Sequence, residues 1–347
     1  MRLYVPAFTL LLAVLAAGCG TKPSSGSAPT SGGTSESPRV LRLGYFANLT
    51  HAQALIGVSR GDFQQALGSV KLETKTFNAG PSVIEALFAN QLDIAYIGPS
   101  PAVNGFIKSG GEQVRVIGGA CANGVAIVVS KDSNITDMKQ LAGKRIATPQ
   151  YANTQDVSAR HYVKTKLKEK LKEDGGATDI QPVANADQLN LFKQAQIDAA
   201  WSPEPWASRL IHEADAKLLR EEKDDWESKR FISALIIVSP EFLKNHPQTV
   251  ETFLRAHTKV TAYINANREE ASEKINAELK NLSGKALKPE VLKDAMTRVE
   301  FTTDPLPESV KIFAQWSKEL GMLKDVPDLT PLFELSIQKK IDAEAKK

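Results

Sequence analysis

Three short segments of the chain combine small residues with hydroxyl or amide side chains in a pattern typical of helix starts. They are residues 79–82, 98–100 and 151–155. The first backbone N–H groups of a helix have no partner within the helix and carry a partial positive charge, so they can bind an anion. Each segment alone is also explained as a capped helix. Together they predict a cleft lined by amide and hydroxyl donors, with few fixed charges.

Two segments in opposite halves of the chain share one pattern. Residues 91–96 and 196–201 both contain glutamine, an aliphatic residue, aspartate and then a short apolar strand that reaches an aromatic residue. A turn with two prolines follows each, at residues 98–101 and 202–205. Proline can simply stop a strand and begin a helix, and coincidence over six positions is the alternative. Otherwise the pattern predicts two similar lobes whose strand ends face one cleft, where open α/β sheets bind ligands.

Aromatic side chains near these turns are candidates for the apolar walls of a pocket. They are Tyr45, Phe46, Tyr96, Trp201 and Trp206. Each could instead pack in a core. His51 follows the first predicted strand, where it could contact a ligand or cap the next helix.

The sequence contains none of the familiar catalytic or cofactor-binding motifs. It has no phosphate-binding loop ending in Gly-Lys-Ser/Thr, no dinucleotide glycine triplet, no paired cysteines and no His-Glu-x-x-His. Residues 98–102 resemble a nucleophile elbow, but the last glycine is missing and two prolines oppose the strained turn. Pairs of carboxylates stay open as acid–base candidates. We therefore predict a binding protein, not an enzyme, with no cofactor and no metal ion.

Charge and cysteine content narrow the possible partners. Among 347 residues, 43 Lys and Arg are mixed with 40 Asp and Glu, for a net charge of +3. There is no basic stripe of the kind that nucleic-acid binders carry, so no nucleic-acid partner is predicted. Cys19 and Cys121 are the two cysteines. A lipid on Cys19 would leave no internal disulfide, even in an oxidising compartment.

The N-terminus predicts export and a lipid anchor. Arg2 precedes an apolar run over residues 3–17 that is short for a membrane span, which favours a cleaved signal peptide at residues 1–18. Cys19 follows small residues in a pattern that resembles the bacterial lipobox, although Leu15 lies one place farther from the cysteine than usual. An ordinary signal peptide with an incidental cysteine is the alternative.

Residues 19–38 are predicted as the lipidated cysteine and a flexible linker. Apart from Lys22, Ala28 and Glu36, residues 20–38 are glycine, serine, threonine or proline. Such a composition cannot bury a core, and its r.m.s. span would be roughly 25 Å. More than one acyl chain, such as palmitate, would hold the protein on a bacterial membrane, facing the periplasm or the cell exterior.

From residue 39 onward, strand and helix patterns alternate, which predicts parallel sheets with crossover helices. The predicted strands are residues 40–45, 70–77, 94–97, 114–118, 125–130, 145–147, 180–183, 199–201 and 231–238. The predicted helices are residues 53–66, 82–90, 137–141, 154–173, 186–194 and 205–213. After Pro240 the chain is predicted as helix to Lys347, interrupted at Pro289 and at residues 304–307.

Five segments occur in an order that points to one family. They are residues 41–45, 79–87, 92–98, 141–147 and 203–210. In this order they resemble the substrate-binding proteins of ABC importers for aliphatic sulfonates, taurine and nitrate, whose relatives bind bicarbonate or thiamine pyrimidine precursors. The resemblance covers nearly the whole mature chain. It implies an α/β, two-lobed fold of the periplasmic-binding-protein type II, in which each lobe is a mixed sheet flanked by helices and two crossover strands join the lobes.

The resemblance also implies a lobe division and a function. The crossings are expected near residues 123–128 and 231–236, with lobe one at 39–123 plus 237–347 and lobe two at 124–236. A monomeric extracytoplasmic protein of this kind binds a small anion such as an aliphatic sulfonate, taurine or nitrate, and delivers it to the permease subunits of the importer. The alternatives are an uncharged pyrimidine or bicarbonate as ligand, or an enzyme on the same scaffold.

These arguments together select a set of candidate ligand-binding residues. They are Tyr45, Asn48, His51, Gly80, Pro81, Ser82, Gly98, Ser100, Asn123, Asn153, Thr154, Gln155, Trp201 and Glu204. The candidate turns contain no Arg or Lys, which fits an anion held by neutral donors and fits a neutral heterocycle too. Glu204 would repel an anion, so we expect it to pair with Arg209 or to bind the amine of a zwitterion such as taurine.

Overall fold

The computed structural model describes residues 38–345. The predicted signal peptide, Cys19 and nearly all of the predicted linker lie outside the described residues. The described residues all belong to one compact unit. Within them, no helix has both the length and the apolar character needed to cross a membrane.

Eleven strands in the described part of the chain form two mixed sheets. They are β1 (Val40–Phe46), β2 (Lys71–Phe77), β3 (Ile94–Ile97), β4 (Arg115–Asn123), β5 (Val125–Val129), β6 (Arg145–Thr148), β7 (Asp179–Pro182), β8 (Ala199–Pro203), β9 (Lys217–Glu221), β10 (Ile232–Val238) and β11 (Val299–Phe301). The first sheet has the order β11-β4-β10-β3-β1-β2, and the second has the order β7-β6-β8-β5-β9. In each sheet three strands run parallel, namely β2-β1-β3 and β7-β6-β8.

The helices between and after these strands flank the sheets. They are α1 (Ala52–Ser59), α2 (Asp62–Leu67), α3 (Gly80–Phe88), α4 (Pro99–Lys108), α5 (Thr154–His161), α6 (Asn185–Lys193), α7 (Trp206–Glu213), α8 (Pro240–Asn245), α9 (Pro247–Ala266), α10 (Arg268–Ser283), α11 (Pro289–Arg298), α12 (Pro307–Glu319) and α13 (Ser336–Ala345). The two-lobed α/β fold that the sequence predicts is confirmed in these two flanked sheets.

The burial of each strand follows its sequence. β10 is apolar except for Ser233 and is buried at every residue, as expected for a strand between two neighbours with both faces covered. β2 carries Lys71, Glu73 and Lys75, and it forms an exposed edge of the first sheet. Charged side chains on an edge strand discourage pairing with a second molecule.

The chain crosses between the sheets at two places. β4 ends at Asn123 in the first sheet and β5 begins at Val125 in the second. The return is complete at Ile232, because β10 pairs with β3 and β4 over its whole length. The predicted lobe boundary at residues 236 and 237 therefore falls inside a strand of the first sheet. The residue bounds of the lobes stay a prediction.

Some predicted elements are wrong in extent. The predicted helix 53–66 is two helices, because Gly61 adopts a φ of +76° between them. The predicted helix 154–173 ends as α5 at His161 and continues only as one stretch of π-helix, Tyr162–Leu167, before Lys168 adopts a φ of +58°.

Two short strands were missed in the sequence. β9 is largely polar and only partly buried, so it lacks the apolar run that marks a strand. β11 contributes three residues beside β4, within a region predicted as helix. Its pairing partner lies far away in sequence, and a local pattern does not show such a partner.

One helix packs against the cores of both sheets. On α12, Val310 and Ala314 belong to the core that covers the first sheet. Phe313, on the same helix, belongs to the core of the second sheet together with Trp226 and Phe231.

Candidate functional site

A small cavity lies where helix starts from both sheets meet. Its volume is about 20 Å³, which holds a group of about one or two water molecules in size. The lining residues are Phe46, Asn48, Thr50, His51, Asn78, Ala79, Gly80, Gly98, Pro101, Pro149, Asn153, Thr154, Gln155, Asn185, Pro203 and Ser233.

Four α-helices, α3 to α6, begin at this cavity, two from each half of the molecule. The residues that precede α3, α4 and α6 are Ala79, Gly98 and Ala184, and none of them caps its helix with a side chain. Only α5 has such a cap, because the Asn153 side chain accepts a hydrogen bond from the Asp156 N–H. The positive ends of these helices therefore converge on the cavity with few side chains competing for them.

The cavity wall carries no formal charge. None of the described lining residues is Lys, Arg, Asp or Glu. His51 is the one lining histidine, and complete burial lowers its pKa to about 3, so the ring is neutral. Its Nδ1 accepts a hydrogen bond from the Phe46 N–H at 3.2 Å, which leaves the proton on Nε2 as a donor. The ring stacks on Phe46, with centroids 4.2 Å apart.

Two lining side chains have buried oxygens without a partner among the described residues. They are Thr154 Oγ1 and Asn185 Oδ1, and each residue is only 3% exposed. Buried polar atoms are nearly always hydrogen-bonded, since leaving them unpaired costs free energy. Unpaired oxygens at a cavity with helix starts are what a site for a polar ligand requires.

The glycines at the cavity are needed for space. A Cβ on Gly98 would lie 2.3 Å from Thr154 Oγ1, on the opposite side of the cavity. A Cβ on Gly80 would lie 2.2 Å from Pro101 Cγ. Gly98 has a φ of −75°, so it needs no left-handed conformation. Any side chain at Gly98 would push the two halves of the cavity apart.

The structure brings one group of the predicted ligand-binding residues together. This group lines the cavity and consists of Asn48, His51, Gly80, Gly98, Asn153, Thr154 and Gln155. Their contact with a ligand stays a prediction. The structure does not place the other group at the cavity, and that group consists of Tyr45, Pro81, Ser82, Ser100, Asn123, Trp201 and Glu204.

The aromatic candidates mostly face the cores. Tyr45 is 1% exposed and packs in the core of the first sheet. Tyr96 is buried there too, and its hydroxyl lies 2.8 Å from His257 Nδ1. Trp201 is buried in the core of the second sheet, where its Nε1–H donates to Glu222 Oε2 at 2.6 Å. Side chains alternate between the faces of a strand, and here these three point to the cores.

Glu204 forms a buried ion pair away from the cavity wall. Its Oε1 lies 3.0 Å from Arg298 Nη1, and it accepts hydrogen bonds from the backbone N–H and the hydroxyl of Ser208. The predicted pair with Arg209 is wrong, because Arg209 pairs with Glu213. Burial raises the pKa of Glu204 to about 7, although Arg298 opposes that rise.

The remaining candidates have structural partners or face elsewhere. Asn123 adopts a φ of +61°, and its Oδ1 accepts a hydrogen bond from the Phe231 N–H, which ties the two crossings together. Ser82 Oγ accepts from Gln150 Nε2 at 3.3 Å. Ser100 is fully buried in α4, and its Oγ has no partner among the described residues.

Sequence reasoning missed several lining residues. Asn78 directly follows β2, and Asn185 follows β7 within a few residues. Both lie beyond the carboxyl ends of parallel strands, where α/β sheets bind ligands, so this rule could have found them. Ser233 lies inside β10, and its sequence neighbours give no signal of its position at the cavity.

The described residues contain no cluster of three or more His, Cys, Asp or Glu side chains able to hold a metal ion. Cys121 is a buried free thiol in β4, and burial raises its pKa to about 12.

Two flanked mixed sheets with a cavity between them define the two-lobed fold of periplasmic binding proteins. The chain belongs to the NMT1-like family, whose sequence profile matches residues 34–279. It is 28% identical over 326 residues to a protein of Bacillus subtilis (strain 168) named "Putative aliphatic sulfonates-binding protein", which covers 91% of this chain and 90% of that protein.

Solved structures show the same fold at low sequence identity. The alkanesulfonate-binding protein of Xanthomonas axonopodis pv. citri, bound to MOPS, is similar with a TM-score of 0.68 and 19% identity, over 87% of this chain and 100% of that chain. The periplasmic nitrate-binding protein of Synechocystis PCC 6803 is similar with a TM-score of 0.74 and 13% identity, over 88% and 89% of the two chains.

Proposed function

We propose that this chain is the extracytoplasmic solute-binding component of an ABC importer, which holds a small anion in the cavity and delivers it to the permease subunits. The observation that carries this proposal is the convergence of four helix starts, from both sheets, on a cavity without charged side chains. The names of the relatives support a ligand such as an aliphatic sulfonate, taurine or nitrate.

Neutral donors suit a protein that must release its ligand. Partly charged N–H groups at helix starts can replace the hydration shell of an anion without a fixed counter-ion. A buried ion pair at the same place would require a large desolvation to form and to break. The neutral wall therefore supports reversible capture rather than permanent binding.

Binding and release require the two lobes to separate. We propose hinges at the crossings around Gly124 and at residues 231–232, with lobe two between them and lobe one formed by the chain on both sides. Opening would break contacts beside the cavity. Trp206 Nε1–H donates to Asn48 Oδ1 at 2.7 Å, and Asn78 Nδ2 donates to the Pro149 carbonyl oxygen at 3.3 Å.

The ligand class is tested by thermal-shift screening followed by isothermal titration. Compounds that bind only the folded state raise its apparent stability by mass action. We expect at least one of nitrate, hydrogencarbonate, taurine and short alkanesulfonates to raise the Tm, and an uncharged pyrimidine to have no effect. Stabilisation by the pyrimidine alone would refute an anion site. Formation of a product from any of these compounds would refute a binding protein without enzymatic activity.

We further propose that Cys19 carries the lipid that holds the mature protein at the membrane, with the signal peptide removed before it. The support is the lipobox-like sequence and the linker that follows it. Cys19→Ala should leave the domain folded and able to bind ligand, but it should move the protein into the soluble fraction of cells. Persistent membrane association of this variant would show that another feature provides the anchor.

A further inference from the structure

Asn185 is the first residue of α6 and lines the cavity from the second lobe. Its Oδ1 is buried without a partner among the described residues, and the residue is 3% exposed. An amide oxygen can accept hydrogen bonds but cannot donate them. The empty cavity therefore contains one acceptor that only an external donor can satisfy.

The other polar groups of the wall have a different character. The Thr154 hydroxyl can donate, and the neutral ring of His51 retains its Nε2–H as a donor. Helix starts add backbone N–H groups around them. These donors match the oxygens of an anion, whereas Asn185 Oδ1 would face those oxygens as one acceptor against another.

We propose that the ligand is an anion that carries its own hydrogen-bond donor, an O–H or N–H group, and that Asn185 is the residue that selects for this donor. This inference rests on the proposed function, since it assigns the chemistry of the same cavity. Hydrogencarbonate and hydroxylated or amino-substituted short sulfonates have such a donor. Nitrate and simple alkanesulfonates have acceptor oxygens only.

The volume of the cavity adds a limit on size. With the lobes as close as they are here, about 20 Å³ admits little more than a compact head group. A donor that is attached directly to the head group, or one short link away, can reach Asn185 from there. A donor at the end of a long chain would require the lobes to stay apart.

Matched ligand pairs test this inference by isothermal titration. Hydrogencarbonate and nitrate are both planar monoanions of four heavy atoms, and only the first has an O–H group. Isethionate and propane-1-sulfonate have the same charge and the same number of heavy atoms, and only isethionate has an O–H group. We expect the donor-bearing member of whichever pair binds to have a Kd at least tenfold lower, in a sealed cell at pH 8.

A variant then assigns the preference to one residue. Asn185→Leu keeps a similar volume but removes the acceptor, so it should reduce the ratio of the two Kd values to less than threefold. Asn104→Leu is the matched control. Asn104 Oδ1 is also buried without a partner among the described residues, but Asn104 does not line the cavity. That control should keep the wild-type ratio, with folding of both variants checked by their melting curves.

The outcomes separate this inference from the proposed function. Equal or tighter binding of nitrate and propane-1-sulfonate by the wild type would overturn the inference while an anion site stands, and it would show that the amide presents Nδ2 to the ligand instead. A preference that survives Asn185→Leu would overturn the role of Asn185. If no member of either pair binds, the proposed anion function fails, and the inference fails with it.

Discussion

The two sheets contain the same clamp in equivalent positions. In the first sheet, the backbone N–H and Nε of Arg42, on β1, donate to Asp93 Oδ2 at 2.8 and 3.0 Å. In the second sheet, the same atoms of Arg145, on β6, donate to Asp198 Oδ2 at the same two distances. Each aspartate immediately precedes the parallel neighbour of the arginine strand, namely β3 or β8.

The similarity extends to the turn before each aspartate. Asn90 and Ala195 both adopt a φ of +53°, and the carbonyl oxygen of each accepts a hydrogen bond from the guanidinium group of the clamping arginine. The repeated aspartates are therefore structural residues that join neighbouring strands. The pattern shared by residues 91–96 and 196–201 marks the same local architecture, and it marks no ligand contact.

The two units differ after their strands end. In the first, Gly98 begins α4 at the cavity and leaves room for Thr154. In the second, Glu204 turns away into a buried ion pair with Arg298, while its carbonyl oxygen accepts from the Leu49 N–H at 3.0 Å. The comparison teaches that repeated residues hold each sheet, whereas the residues that are not repeated form the cavity in one unit and join the lobes in the other.

The largest effect is expected at Gly98. Gly98→Val should abolish ligand-induced closure, because even a Cβ there would lie 2.3 Å from Thr154 Oγ1. Small-angle scattering with saturating ligand should then show no decrease in the radius of gyration, and titration should show a Kd raised by about 100-fold or more, equivalent to about 3 kcal/mol.

A double variant provides the control for this prediction. Without the hydroxyl, the nearest atom to a Cβ at position 98 is Thr154 Cβ at 3.4 Å. Gly98→Ala should therefore fail to close, whereas Gly98→Ala combined with Thr154→Ala should close again and bind like Thr154→Ala alone. Normal closure of Gly98→Ala by itself would show that this contact does not limit the cavity.

The next prediction concerns the two buried glutamates of the second unit at pH 8. Glu204→Gln should lower the free energy of unfolding by about 3 kcal/mol, because it leaves the buried Arg298 with less compensating charge. Glu222 accepts hydrogen bonds from Ser158 Oγ and Trp201 Nε1, and no salt bridge to it is found among the described residues. Glu222→Gln should therefore raise the free energy of unfolding, by about 2–3 kcal/mol.

The pH dependence fixes the sign for Glu222. Burial raises its pKa from 4.5 to about 7, so between these values the folded protein holds a proton that the unfolded chain has lost. This contribution to stability is complete below about pH 4.5 and disappears as the pH rises through 7. The advantage of Glu222→Gln should thus vanish at pH 4.5 in urea unfolding. An equal advantage at both pH values would contradict the assignment.

The smallest effects are expected at the clamps themselves. Asp93→Asn should cost about 1–2 kcal/mol of stability and Asp198→Asn about 1 kcal/mol, because the Asp198 side chain is 27% exposed and that of Asp93 only 6%. Urea midpoints measure both. Neither change should alter the Kd for ligand by more than about twofold, and a larger change would show that the clamps also shape the cavity.

Local patterns in the sequence were sufficient for much of the fold and part of the site. The strand predicted at residues 94–97 is β3, and helices do begin within or directly after the predicted segments 79–82, 98–100 and 151–155. Strand alternation and proline-rich helix starts depend on near neighbours, so one sequence is enough to read them.

Long-range packing decided the rest. Glu204 and Arg298 are 94 positions apart, and no local pattern links them. Whether Trp201 faces the ligand or the core depends on how the second sheet is oriented and covered, which the strand sequence does not contain. For the same reason Asn185, which has no special neighbours, was overlooked although it lines the cavity.

The clamps and the cavity lie at opposite ends of the same short strands. From Asp93 to Gly98, on either side of β3, the chain advances five residues, or roughly 16 Å in extended form. Substitutions separated by more than about 10 Å usually have additive effects. A lineage can therefore change the solute that it scavenges by exchanging residues at the helix starts, while the clamps continue to protect the scaffold from the destabilising history of those exchanges.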